Sequence, residues 1–202
     1  MKETTKMTVT RALSTLKLLD KRINKSIANS IFANYTVGGV LDNDNYTPNE
    51  DLQAVNDLIQ YRAKLKTAIM SSNSTTKVKV GKVKMTVVQA IETKDSILYK
   101  KNLLHKILGD LRRVTSDVEL VNEDVKDRLD KIVQASFGSS EVSKSSYESI
   151  SKPFLEKNSA KTVDSEKFIR IALDLEEEID TFESEVDLVL SESNATTTIE
   201  VK

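Results

Sequence analysis

The chain has 202 residues with no Cys, no Trp, one His, five Gly and two Pro, and its 30 Lys/Arg nearly balance 31 Asp/Glu. Without Cys there is no disulfide frame, thiolate nucleophile or Cys-type zinc site, and one His cannot supply a His-pair metal site. No run of about eighteen apolar residues occurs, which excludes a membrane-spanning helix. The remaining balance, 39% hydrophobic and 30% charged with few turn residues, suits long amphipathic helices around an aliphatic core.

The first predicted helix covers about Thr8 to Ser30, with Val9, Ala12, Leu13, Leu16, Leu19, Ile23, Ile27 and Ile31 on one stripe at spacings of three and four. Asn34 to Gly39 and Asp42 to Asn45 then read as loop. Thr47-Pro48-Asn49-Glu50 predicts the next helix start, with Thr47 as N-cap, Pro48 at the first helical position and Glu50 completing a capping box. Leu52, Val55, Ile59, Arg62, Leu65 and Ile69 carry that helix to about Met70, and the two helices are expected to form an antiparallel hairpin. The period then shortens to two. Lys77-Val78-Lys79-Val80-Gly81-Lys82-Val83-Lys84-Met85 predicts a β-hairpin turning at Gly81-Lys82 in a type II′ turn, with Val80 opposite Val83 and Val78 opposite Met85.

A third helix is expected from Thr86 to about Arg113 and a fourth from about Asn122 to Ser136, stopped at Gly138. Gly138 to Ser151 reads as a Ser-rich loop, with short helical pieces around Lys144 to Lys157 where Pro153 interrupts. The fifth helix, about Ser165 to Ser191, bears the clearest seam: Phe168, Ala172, Leu175, Ile179, Phe182, Val186 and Val189 alternate spacings of four and three. That pattern predicts a bundle or oligomer interface.

Two strings recur in the same order. Lys6-Met7-Thr8-Val9 returns as Lys84-Met85-Thr86-Val87 before a helix. Ser72-Asn73-Ser74-Thr75-Thr76 returns as Ser193-Asn194-Ala195-Thr196-Thr197 after one. The expected fold is therefore mainly α: one domain over 1–202, an antiparallel helical bundle or coiled coil of two strand–helix–helix–strand repeats, 3–80 and 82–201. The second repeat carries an insertion at about 115–164. A small antiparallel sheet drawn from 3–8, 76–80, 83–87 and 196–201 caps the bundle, with the lysines of 77–80 and Glu200 suited to opposite-charge pairing across strands.

Stretches from Ala12-Leu13 to Ile27, Leu52 to Asn73 and Gly81 to Leu108 carry a resemblance. An Ile-x-x-x-Asn turn (Ile69 to Asn73), a hairpin centred on Gly81 and a helix start from Thr86 to Ile91 resemble an uncharacterised family of short helical bacterial and phage proteins often labelled septicolysin-like. The resemblance implies a phage or prophage setting and a helical fold, and it implies no activity. The insertion at 115–164 departs from the family pattern.

The chain carries few residues arranged for chemistry. His105 has neither an orienting partner nor a nucleophile in any local motif. Glu176, Glu177, Glu178 and Asp180 point in different directions around a helix and read as a solvated face. Lys17, Lys21 and Lys25, with the hairpin lysines, form a basic set that lacks interleaved aromatics, which disfavours nucleic acid. Residues 1–109 carry 18 Lys/Arg against 9 Asp/Glu, and residues 110–202 carry 12 against 22. Opposed halves of this kind suit pairing within or between chains.

The chain is accordingly expected to be a non-enzymatic, phage-associated protein acting by oligomerisation and binding, such as a virion or assembly component. It would need no cofactor, metal or catalytic residue. Its partners would be further copies or other phage proteins, with no membrane contact. Without an apolar segment behind Met1 it is expected to lack a signal peptide and to reside in the host cytoplasm or the virion. The alternative is an anti-defence protein that sequesters a small anionic nucleotide signal, with Tyr61, Arg62, Arg112 and Arg113 as the ligand-binding residues.

Overall fold

The computed structural model describes residues 5–43, 46–138 and 143–201. Contacts divide the chain into two compact units, one formed by residues 1–95 and 181–202, the other by 96–180. The single domain expected over 1–202 did not include a boundary at these points. Expected features at 1–4, Asp44-Asn45 and 139–142 lie outside the described residues.

Unit one begins with strand β1 (Thr5–Thr8), which runs directly into helix α1 (Val9–Asn29). Thr8 caps that helix, its hydroxyl accepting from Arg11 N at 3.3 Å. A short hairpin follows, β2 (Thr36–Val37) and β3 (Val40–Leu41), turning on Gly38 and Gly39 at positive φ. Helix α2 (Pro48–Thr75) starts at the expected proline, five residues longer than expected at its far end. The predicted capping box is absent there, since Thr47 makes no side-chain cap bond. Asp51, in the first turn, instead accepts from Ile31 N at 3.2 Å, and Asp20 meets Arg62 further along, so α1 and α2 run antiparallel.

The α1–α2 core holds Val9, Ala12, Leu16, Leu19, Leu65 and Ile69, closed by Ile199 and Val201 of strand β6 (Thr198–Val201). Leu52 and Ile59, placed on the inner face by the sequence reading, are half exposed. The buried row of α2 is Val55, Leu65 and Ile69, with Leu58, Tyr61 and Ala68 packed beside it.

Strand β4 (Lys77–Val80) pairs with β5 (Val83–Thr86) in the predicted register, Val80 opposite Val83, Lys79 opposite Lys84 and Val78 opposite Met85. Gly81 has φ +58, whereas Lys82 is not in the positive-φ region, which fits type II′ and excludes I′. The capping box that α2 lacks occurs at the next helix, α3 (Val87–Phe137): Gln89 N donates to Thr86 Oγ1, and Thr86 N donates to Gln89 Oε1 at 2.8 Å.

Among the described residues the expected four-stranded cap does not form: β1 pairs with β6 and β4 with β5, giving separate two-stranded sheets. The two pairs nonetheless share every register position under fixed numerical offsets: Thr5–Val201, Lys6–Glu200, Met7–Ile199 and Thr8–Thr198 match Val83–Val80, Lys84–Lys79, Met85–Val78 and Thr86–Lys77. Glu200 thus faces Lys6, and the lysines of β4 face β5. Val9 N donates to Thr197 O at 3.0 Å and Val87 N to Thr76 O at 2.9 Å. Thr76 N reaches Ser72 O, and Thr197 N reaches Ser193 O, both at 2.9 Å. The repeated Ser-Asn-x-Thr-Thr string is therefore a helix exit, with Thr75 and Thr196 hydroxyls bonding back to the last turn.

Unit two contains residues 96–137 of α3, helix α4 (Lys144–Asn158) and residues 165–180 of helix α5 (Ser165–Thr196). The third and fourth predicted helices are one helix of 51 residues. Val114 to Val121 contain β-branched residues but neither Gly nor Pro, and Leu111, Val114, Val118, Asn122, Val125 and Leu129 keep one stripe across the supposed break. Ion pairs Arg113–Asp117 and Arg128–Asp124 brace that stretch. The helical pieces expected around Lys144 to Lys157 are one continuous helix, α4, which Ser143 caps and which Pro153 does not interrupt. Asn122 clamps the following segment, donating to Ala160 O at 3.1 Å and accepting from Ala160 N at 2.8 Å.

Candidate functional site

The four residues expected to bind a ligand are held in two places. Tyr61 is half-buried against the α1–α2 core, and Arg62 Nε lies 2.5 Å from Asp20 Oδ1, a hydrogen bond that raises the guanidinium pKa further. Both belong to unit one, whereas Arg112 and Arg113 belong to unit two. Arg112 is exposed on α3, and Arg113 lies between Asp110 and Asp117 at 3.8 and 3.3 Å. Neither unit gathers the four. His105 is exposed on α3, and no group of three or more His, Cys, Asp or Glu could hold a metal among the described residues.

The α5 seam divides between the units. In unit two, Ala172 and Ile179 are buried, Leu175 is half-buried and Phe168 is exposed. In unit one, Phe182 and Val186 are buried and Val189 is half-buried. Sequence spacing identified the inward row, and the exposure of Phe168 marks where packing along it ends.

Charges from the two sequence halves meet inside each unit. Glu185 of α5 accepts from Gly81 N at 2.6 Å, and Asp187 meets Lys94 at 2.5 Å. In unit two, Lys100 bonds Glu178. Counted by unit, 16 Lys/Arg stand against 14 Asp/Glu and 14 against 17, so the opposition of halves is largely spent within the folded units.

Unit two has a thin core. Among the described residues its buried apolar side chains are Ile97, Val125, Leu129, Ala172 and Ile179, whereas eleven large apolar residues are exposed, among them Leu120 at 62%, Tyr99 at 75% and Val163 at 83%. A groove of about 190 Å³ opens among them, lined chiefly by Ile107, Leu111, Val114, Val163 and Phe168, with Asp110 at its edge. The Lys106 ammonium, hydrogen-bonded to Asp110, holds that carboxyl below its ordinary range against a smaller effect of burial. Asp164, just before α5, has φ +56, a left-handed conformation that Asp tolerates. An apolar groove edged by a carboxylate suits an aliphatic or aromatic side chain better than a phosphate.

In unit one the β2–β3 hairpin exposes Tyr35, Val37, Val40 and Leu41. A bond to Asp42 raises the Tyr35 pKa by favouring the neutral phenol. The outer face of the β4–β5 hairpin carries Lys77, Lys79 and Lys84, all exposed. Opposite charges across strands contribute about 0.2–1 kcal/mol and like charges oppose pairing. The Lys6–Glu200 pair thus favours its sheet, while Lys79–Lys84 works against its own.

No family model, curated protein or solved structure matches this chain. Among the described residues no helix is long and apolar enough to cross a membrane.

Proposed function

We propose that the chain is a non-enzymatic helical protein that acts by self-association and binding, in the manner of a structural or assembly component. The observation that carries this reading is unit two, which among the described residues buries five apolar side chains and exposes eleven large ones. Contiguous apolar surface beyond a few hundred Å² marks interaction sites in soluble proteins. A second copy seated on the groove of Ile107, Leu111, Val114, Val163 and Phe168 would extend the thin core of unit two.

The architecture is proposed to be a pseudo-twofold pair of strand–helix–helix–strand repeats. The shared register of β1–β6 and β4–β5, the matching helix exits at Thr76 and Thr197, and equal burial of Val9 with Val87 and Ala12 with Ala90 support it. A septicolysin-like relationship, a phage setting and a location in the host cytoplasm or virion are proposed on the sequence resemblance alone.

Light scattering and native mass spectrometry of the purified chain test the association. The expected result is a ligand-free oligomer that dissociates on dilution. A monomer across the micromolar range refutes the reading, and a co-purified nucleotide replaces it with sequestration.

A further inference from the structure

The β1–β6 and β4–β5 sheets share one plan and differ in one chemical respect. Where Glu200 stands opposite Lys6 in the first, Lys79 stands opposite Lys84 in the second. Lys77 lies two residues from Lys79 on the same face, about 6.7 Å away. The opposite face is anchored by buried Val78 and Val80. Among the described residues none of the three lysines has an ion-pair partner. The fold therefore places three exposed lysines on one ribbon face without compensating them. An external anionic surface would relieve that repulsion.

We propose that this lysine face docks on the α5 acids Glu176 and Asp180 of a second copy of the chain. The proposal rests on the self-association reading and names a contact within it. Glu176 and Asp180 are exposed, stand one turn apart on one helix face at about 6 Å, and have no ion pair among the described residues. That spacing matches Lys77 and Lys79. Within the chain the turn of this ribbon already meets an α5 carboxylate, Gly81 N donating to Glu185 at 2.6 Å. The ribbon face carries Lys77, Lys79, Lys84 and Thr86 with no Arg or aromatic residue, which leaves nothing to stack on or read a base. Apolar burial by unit two would supply affinity, and these charges would set orientation and association rate.

The test is a charge swap read by sedimentation velocity. One variant carries Lys77→Glu and Lys79→Glu, the other Glu176→Lys and Asp180→Lys. The first keeps the ribbon, because an acid at 79 facing Lys84 repeats the Lys6–Glu200 arrangement, and circular dichroism checks both folds. Each variant alone is expected to self-associate about tenfold more weakly than the native chain in low salt. An equimolar mixture of the two is expected to regain native affinity. Variants that associate like the native chain, or a mixture without rescue, overturn this contact while leaving self-association standing. A native chain that is monomeric overturns both. Lysine-dependent binding of a twenty-nucleotide single strand, with self-association unchanged, overturns the contact in favour of a phosphate backbone.

Discussion

Replacing Gly81 by Ala tests the turn and its packing together. Gly81 sits at φ +58, where a Cβ costs about 1–2 kcal/mol. An added Cβ would also meet Thr181 Cγ2 at 2.6 Å, well inside contact distance. Thr is stiff at χ1, so relief requires a rotamer change or a shift of α5, and overpacking of this kind costs about 1–3 kcal/mol. The sum, about 3.5 kcal/mol at mid-range, corresponds to a fall in Tm of about 7–14 °C at about 2–4 °C per kcal/mol. Gly38→Ala is the matched control in the same unit, since Gly38 has φ +60 and nothing within 4 Å of an added Cβ. It is expected to show only the backbone component. Adding Thr181→Ala to Gly81→Ala should recover the steric part and leave the rest. Thermal unfolding followed by circular dichroism measures all of these. If Gly81→Ala costs no more than Gly38→Ala, or Thr181→Ala restores nothing, the hairpin tip does not pack on α5 as described.

Leu65→Ala removes a fully buried side chain from the α1–α2 core and should cost about 2–5 kcal/mol in urea unfolding. Pro153→Ala restores an N–H that can donate to the Ser149 carbonyl and removes a ring clash. It should stabilise α4 by about 1–3 kcal/mol, read as slower amide exchange across 147–158. Asp110, hydrogen-bonded by Lys106 and near Arg113, should titrate below its ordinary 3.8 in carboxyl-detected NMR, and Lys106→Met should move it back up. Because its folded pKa is depressed, the stability it contributes is present above the unfolded pKa and lost as pH falls through the folded one.

Several elements were legible from local chemistry. The register of β4–β5 followed from Val and Lys alternating around Gly81, because a two-residue turn leaves one pairing that puts the apolar residues together. Helix α1 followed from its stripe. Thr47 stands at the expected N-cap but makes no side-chain bond there, and it is Asp51 in the first turn that takes a backbone donor, Ile31 N. The break expected between Arg113 and Asn122 does not occur, because a continuous apolar stripe and i,i+4 ion pairs carry the helix through it. The proposed ligand residues were read by type alone, and folding placed them in different units.

The sequence by itself determined the helical class, the β-hairpin, the recurring strings and the absence of thiol chemistry, since each depends on residue type and spacing along a few turns. Tertiary structure decided that β1 pairs with β6, that the α5 acids answer Gly81 and Lys94, and that unit two leaves its apolar residues uncovered. Those outcomes join residues about ninety to two hundred positions apart. Periodicity specifies which face of an element is apolar, and only packing against a partner specifies whether that face is buried.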